Sequence, residues 1–250
     1  MSKIARFERH LFSALIIMLG SSALLFEGFV CVAFFLPIYI VISALVFFLS
    51  PDVKDTDRSK LRASVLPLVI MVLSVEGVSP SLSFERNKTV SRTQIVDATI
   101  PQIKANMAKP ITFDGRRHAF LSIFPLPVNV EAGSLNAGDV HKLHFTYKRW
   151  GFTNVHEGET WLKIAEVGDD FVRTEIVKDT SYFSKYLTIK GTQVDMKTLP
   201  SGQTEVTLIV KYKRLLDPVW YFGPLQNMAV KQSADYLIEE VIARDLPQSR

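Results

Sequence analysis

Histidines and neighbouring carboxylates are the side chains in this sequence best suited to acid–base or metal chemistry. The histidines are His10, His118, His141, His144 and His156. His141 and His144 are three residues apart, and on a strand this spacing places two side chains on opposite faces, which argues against a shared metal ion. The run His156-Glu157-Gly158-Glu159 is predicted to be a polar loop with solvated carboxylates. Glu157 and Glu159 are its candidate general acids or bases.

The chain contains none of the compact motifs that mark dinucleotide, nucleotide-phosphate, hydrolase or zinc-protease sites. Its single cysteine, Cys31, excludes a disulfide scaffold and any metal site built from several cysteines. The sequence therefore assigns no catalytic residue, no metal ligand and no cofactor.

Aromatic side chains are the stronger candidates for a functional site. Tyr147 and Trp150 end one predicted strand, and Trp161 begins another. Tyr221 and Phe222 open the last predicted helix. Ligand pockets commonly combine aromatic walls with a few polar groups. We predict that these five residues bind a ligand, and the alternative is plain core packing.

The N-terminal part of the chain is strongly apolar. Between residues 11 and 50 the only formal charge is that of Glu27. One helix over this run would be roughly 60 Å long, about twice the thickness of a bilayer core. The pattern predicts two transmembrane helices, over about 11–26 and 29–50, with a turn at Glu27-Gly28. A cleaved signal peptide is disfavoured because the apolar run continues well past Ala23.

Residues 63–84 are a weaker apolar stretch whose only charge is Glu76. We predict a third transmembrane helix there, and the alternative is a helix lying in the interface. Basic residues flank the 11–50 segment on both sides: Lys3, Arg6, Arg9, Lys54, Arg58, Lys60 and Arg62. Because basic flanks stay in the cytoplasm, a spanning 63–84 would place the rest of the chain outside it. The expected location is the bacterial inner membrane.

Beyond residue 85 the sequence changes to short alternating runs, and we take 85–250 as a second domain after a membrane region over 1–84. A first strand over 92–98 and a short helix over 100–108 with Thr99 as its N-cap open this domain. Further strands are predicted at 140–150, 160–167, 170–177, 186–199 and 204–212. The apolar stripe after Asp217 and Pro218 predicts one long C-terminal helix to residue 244, with Asp217 as its N-cap.

Three segments carry a resemblance to a known family: RTQIVDATIPQIKANM (92–107), ETWLKIAEVGDDFVRTEIV (159–177) and TEVTLIVKYKRLLDPVWYFGPLQNMAVKQSADYLIEEV (204–241). Their order resembles the START / Bet v 1-like (SRPBCC) superfamily, in particular its bacterial polyketide cyclase/dehydrase-like members. The resemblance implies an α+β helix-grip fold, in which an antiparallel sheet wraps around a long C-terminal helix and encloses an apolar cavity. The proline-rich stretch before Val140 departs from the family pattern. The superfamily has no shared catalytic motif to transfer.

Charge and composition exclude one class of partner. The 250-residue chain has a mean hydropathy of +0.17 although 22% of its residues are charged. Residues 1–80 hold 7 Lys/Arg and 6 Asp/Glu, whereas residues 81–250 hold 22 and 19. Basic residues are therefore not concentrated in one segment, as a nucleic-acid-binding surface would require, and no nucleic-acid partner is expected.

Three functions are consistent with these features. The first is a membrane-anchored binding protein that holds a lipid or another hydrophobic molecule, with the bilayer as its second partner. The second is a cyclase or dehydrase acting on a small apolar substrate, which requires an acid or base with a shifted pKa in the cavity. The third is a non-catalytic interaction domain of a membrane complex.

Overall fold

The computed structural model describes residues 3–24, 29–49, 75–113, 120–125, 127–150, 153–244 and 246. The chain divides into two compact units. The first comprises residues 1–75 with 148–155, and the second comprises residues 76–147 with 156–250.

Two helices form the described N-terminal part of the first unit, α1 (Lys3–Leu24) and α2 (Phe29–Leu49). They run antiparallel, since the Phe7 and Phe47 rings lie 5.1 Å apart and His10 Nε2 lies 3.0 Å from the Tyr39 hydroxyl. Both helices were predicted, but α1 begins at Lys3 rather than near residue 11. Lysine, arginine and glutamate are good helix formers, so the polar start of the chain joins the helix.

The transmembrane assignment is not supported by the structure. A spanning helix needs roughly 20 consecutive, predominantly apolar residues. No helix among residues 3–24, 29–49 and the later described segments is long and apolar enough to cross a membrane.

The prediction of a third helix over 63–84 is wrong for residues 75–84. Residues 75–84 form turns and a single 3₁₀ turn at Pro80–Leu82. The physical reason is that Glu76 pairs with the buried Arg214 and thereby belongs to the second unit. Residues 63–74 lie outside the described residues.

An antiparallel sheet forms most of the second unit, although residues 148–155, at the end of its fourth strand and the start of its fifth, are grouped with the first unit. Its strands are β1 (Asn87–Val96), β2 (Ile111–Thr112), β3 (Pro127–Glu131), β4 (Val140–Trp150), β5 (Thr153–Val167), β6 (Phe171–Asp179), β7 (Leu187–Thr198) and β8 (Thr204–Arg214). The spatial order is β1-β8-β7-β6-β5-β4-β3-β2. The first strand therefore pairs with the last, and the others follow in reverse order along the chain.

Two helices complete this unit. α3 (Ile100–Met107) follows β1, and the Thr99 amide donates a hydrogen bond of 2.9 Å to Gln102 Oε1, which confirms Thr99 at the N-cap. α4 (Val219–Leu237) continues as a π-helical turn over Ile238–Ile242. The predicted C-terminal helix is thus present, although its α-helical hydrogen bonding ends at Leu237.

The main core lies between β8 and α4. Val206, Leu208 and Val210 share one face of β8, as the alternating pattern predicts, and all are buried. They belong to the same apolar cluster as Val230 and Ala234 of α4. A curled antiparallel sheet packed on a C-terminal helix fits the helix-grip fold, which confirms this part of the predicted architecture.

One sequence-based loop is a strand in the structure. β5 begins at Thr153 rather than at residue 160, so His156-Glu157-Gly158-Glu159 is extended. The Thr180 amide donates a hydrogen bond of 2.8 Å to the Glu159 carbonyl oxygen. A Cβ at position 158 would collide with the Thr180 carbonyl oxygen, so Gly158 allows this close approach of the two chains.

A buried ion network anchors the start of α4. The Arg214 side chain is fully buried, and its Nη2 donates to Glu76 Oε1 at 2.9 Å. Its Nη1 donates to Asp217 Oδ1 at 2.7 Å and to the Leu216 carbonyl oxygen. Asp217 also pairs with Arg86. The prediction of Asp217 as the helix N-cap is therefore wrong, because two arginines engage its carboxylate.

Glu76 takes the capping role instead. Its Oε2 accepts a hydrogen bond of 2.6 Å from the amide of Val219, the first residue of α4. The N-terminus of a helix carries a partial positive charge, so a carboxylate there stabilises it. One glutamate thus neutralises Arg214 and satisfies a helix amide at the same time.

We expect Glu76→Gln to lower the free energy of unfolding by about 3 kcal/mol, because breaking one partner of a buried ion pair leaves an uncompensated charge. Urea unfolding of the full chain, followed by circular dichroism, measures this change. The control is Glu166→Gln, which removes an exposed pair with Arg173 and should cost less than about 1 kcal/mol. Equal effects of the two variants would contradict the anchoring role of Glu76.

Candidate functional site

A cavity of about 120 Å³ lies between the sheet and α4. The sheet contributes a wall that is mostly apolar: Leu143, Phe145, Leu162, Ile176, Ile189 and Val210. The helix contributes mostly small side chains: Ala229, Val230, Ser233 and Ala234. The space exists because the helix presents small residues where the strands present large ones.

Local sequence pattern explains how this wall forms. Leu143 and Phe145 are two residues apart on β4, and Thr160 and Leu162 are two apart on β5. Successive strand side chains alternate between faces, so each pair faces the same side of the sheet, which here is the cavity. The strands therefore deliver an apolar surface wherever their alternation is regular.

Hydroxyl groups are the main polar chemistry of the lining. Thr160 Oγ1 and Ser181 Oγ donate to Asp179 Oδ1 at 3.1 and 2.6 Å. Thr192 Oγ1 lies 2.8 Å from Thr174 Oγ1. None of the described lining residues is aspartate, glutamate, histidine, lysine or arginine. The described lining is thus suited to holding an apolar molecule.

Two aromatic residues that line the cavity stack on further aromatic rings. Phe183 lines it and stacks on Phe124 with ring centres 6.0 Å apart. Tyr236 lines it as well and stacks on Phe113 at 5.7 Å. The predicted site omitted Phe145, Phe183 and Tyr236. Alternation with Leu143 could have identified Phe145, whereas Phe183 lies in a 3₁₀ turn that no sequence pattern marks.

The structure places three of the predicted ligand-binding residues in aromatic pairs. Tyr147 is buried, with its ring 4.8 Å from that of Tyr182. Phe222 is buried, with its ring 4.9 Å from that of Tyr221. Burial raises the pKa of the Tyr221 phenol. None of Tyr147, Tyr221 and Phe222 is among the described residues that line the cavity.

Trp161 likewise does not line the cavity, whereas its neighbours Thr160 and Leu162 do. The Lys178 ammonium lies 4.4 Å from its ring centre, within the range of a cation–π contact. The indole nitrogen donates a hydrogen bond of 2.8 Å to Glu159 Oε2. The Trp150 side chain lies outside the described part of the chain. The ligand-binding role of these aromatic residues stays a prediction.

The polar side chains considered for catalysis lie apart from the cavity. Hydrogen bonds from Trp161 and then Lys178 lower the pKa of Glu159, whereas a general acid near neutral pH requires a raised pKa.

The two histidines of β4 lie next to different groups. His144 Nε2 lies 3.0 Å from Glu131 Oε1, and His141 Nε2 lies 2.6 Å from the Ser134 carbonyl oxygen. The two histidines thus have different neighbours. The described residues contain no group of three or more metal-ligating side chains.

Comparison with known proteins gives matches only among solved structures. No protein-family model matches the chain, and no curated protein matches it. The START superfamily protein from Mycobacterium smegmatis is 12% identical, with 62% of this chain and 95% of that one covered and a TM-score of 0.39. Major latex-like protein 151 from Panax ginseng is 12% identical, covering 61% and 99%, with a TM-score of 0.34.

A third similar structure is the Zhui aromatase/cyclase from Streptomyces sp. R1128. It is 13% identical, with 61% of this chain and 96% of that one covered and a TM-score of 0.32. The helix-grip description rests on the strand order and on the position of α4 in the chain itself.

We expect Trp161→Phe to raise the pKa of Glu159 toward its ordinary value, because the variant removes the largest contribution that lowers it. A lowered folded-state pKa stabilises the protein above the unfolded-state pKa, and this contribution is lost as the pH falls through the folded value. NMR titration of the glutamate carboxyl carbon measures the shift. Trp220→Phe, at an exposed position, is the control and should leave Glu159 unchanged.

Proposed function

We propose that this protein binds a small hydrophobic molecule in the cavity between the sheet and α4. The observation that carries the proposal is the apolar lining, in which described strand residues such as Leu143, Phe145 and Leu162 face small residues of α4. Burial of apolar ligand surface supplies the binding free energy, at roughly 25 cal/mol per Å². The aromatic residues Phe183 and Tyr236 add flat surfaces for a ring or a branched chain.

Cavity size narrows the ligand class. Pockets for drug-sized ligands typically span roughly 300–1,000 Å³, and an engineered apolar cavity of about 150 Å³ in another protein binds benzene. A volume of about 120 Å³ therefore favours a compact ligand of one ring or a short branched chain. A long lipid acyl chain would require the cavity to widen.

Binding of a hydrophobic molecule is better supported than cyclase or dehydrase chemistry. Such an enzyme needs an acid or base aimed at its substrate. In the described lining, the hydroxyls of Thr160 and Ser181 are engaged by Asp179, and that of Thr192 pairs with Thr174. The lining therefore offers apolar surface and few groups that could exchange a proton with a ligand.

We expect Ala229→Leu to abolish binding of fluorobenzene, a probe of suitable size, because the larger side chain fills the cavity. Fluorine NMR of the probe with the full chain measures its affinity. The matched control, Met228→Leu, introduces the same residue at the neighbouring, 41% exposed position outside the cavity lining and should leave affinity unchanged. Unchanged binding in Ala229→Leu, or no binding to the unaltered protein, would contradict the proposal.

We further propose that α1 and α2 hold the protein at a membrane surface. α2 has no charged residue. Large apolar side chains are exposed on both helices: Phe12, Ile16, Ile17, Phe35, Val41 and Leu45. Extended exposed apolar surface marks sites that contact membranes or other proteins. The expected position of the second unit outside the cytoplasm depends on the segment over 63–74 and stays a prediction.

The double variant Ile17→Glu/Val41→Glu tests this attachment. These side chains are 68% and 58% exposed, and a charge at each would oppose burial in the bilayer interface. We expect the unaltered chain to stay in the membrane pellet after a high-salt wash, because salt does not weaken attachment through apolar side chains, and the variant to be released. Val177→Glu changes a 51% exposed residue of β6 and serves as the control, which should stay in the pellet. Release of the unaltered chain would contradict the attachment.

A further inference from the structure

An open groove of about 710 Å³ lies along α4, where the helix faces β1 and the end of β8. Gly223 and Pro224 of α4 border it, and neither presents a long side chain. The described residues that line this groove and those that line the apolar cavity are different sets. The groove is therefore a second candidate site in the same unit.

Positive charge dominates the groove. Lys88 and Arg92 lie on the same face of β1, four residues apart, and Lys231 contributes from α4. The acidic residue among the described lining is Asp235, whose Oδ1 lies 2.6 Å from Arg92 Nε. The charge of Arg214 is balanced by the carboxylates of Glu76 and Asp217. Lys88 and Lys231 thus leave the groove with an excess of positive charge.

Two of the residues that line the groove each carry a buried polar atom with no hydrogen-bond partner among the described residues. One is Arg214 Nε, on a side chain whose other two nitrogens are engaged by Glu76, Asp217 and Leu216. The other is Gln232 Oε1. A buried donor or acceptor without a partner is unfavourable. A ligand that accepts from Arg214 and donates to Gln232 would satisfy both atoms.

We propose that this groove binds a phosphate group. Arg214 Nε and the ammonium groups of Lys88 and Lys231 provide donors for its oxygens, and charge-assisted hydrogen bonds of this kind are the strong ones in proteins. A protonated oxygen of a free phosphate or monoester, or a hydroxyl of a lipid headgroup, provides the donor that Gln232 Oε1 requires. The phosphate belongs either to a free anion or monoester or to a lipid headgroup, and the chemistry of recognition is shared.

Substitution of the two lysines tests the site. Titration calorimetry of the full chain with inorganic phosphate, at constant ionic strength, measures affinity. We expect Lys88→Gln/Lys231→Gln to weaken binding at least about tenfold, because each lost charge-assisted hydrogen bond is worth about that factor. Circular dichroism verifies that the variant is folded.

The matched control is Lys211→Gln/Lys213→Gln. Both lysines are exposed on β8, where strand alternation places them opposite the groove-lining Tyr212 and Arg214. This variant loses the same net charge and should bind phosphate within about twofold of the unaltered chain. A third variant, Asp235→Asn, removes the repulsive carboxylate and should tighten binding, which a purely structural role of these residues would not predict.

Vesicles distinguish the two sources of phosphate. The same variants are compared on phosphatidylcholine vesicles with and without phosphatidylglycerol, so attachment through α1 and α2 is common to all of them. If the two double-lysine variants differ in affinity for inorganic phosphate, the ligand is a free anion or monoester. If they differ only in affinity for phosphatidylglycerol vesicles, the ligand is a lipid headgroup. If neither probe separates the two pairs, or if Asp235→Asn weakens binding to the probe that does, the proposal is overturned.

Discussion

The buried guanidinium of Arg214 is the interaction on which the placement of α4 depends. It joins the end of β8 to Glu76 and Asp217, and Glu76 in turn accepts the amide of Val219 at the start of the helix. An arginine suits this position because its planar fork can bind two carboxylates at once. Removal of either acid would leave charge in a dry environment, so the network fixes the entry point of the helix as well as its own geometry.

With its start fixed there, α4 borders two different environments. The side carrying Ala229, Ser233 and Ala234 faces the apolar cavity, whereas Lys231 and Gln232 line the polar groove toward β1. An amphipathic helix ordinarily has one buried stripe and one solvated face. Here the small residues leave free volume on the buried side, and the basic residues border a concave surface on the other. Both candidate sites therefore follow from the position of one helix.

The sheet separates apolar from charged surface by strand alternation. On β5, Thr160 and Leu162 face the cavity, and Trp161 between them contacts Lys178 and Glu159 instead. A shift of one residue would exchange these surroundings, because side chains alternate between the two faces. The pairing of β5 with β6 shifts register at this point, between Trp161 and Leu162. Local register thus decides whether an aromatic ring lines a pocket or forms a cation–π contact.

The sequence by itself determined the elements whose signals are local. The alternation of Val206, Leu208 and Val210, the cap at Thr99 and the long apolar stripe of the last helix predict β8, α3 and α4 from neighbouring residues alone. Only the tertiary structure decided which residues line the apolar cavity and which form the buried ion network. Arg214 and Glu76 are 138 positions apart, and Phe183 reaches the cavity from a 3₁₀ turn. Hydrophobic periodicity specifies which face of an element is buried but does not specify its partner, because partners are selected by packing and charge between segments distant in the chain.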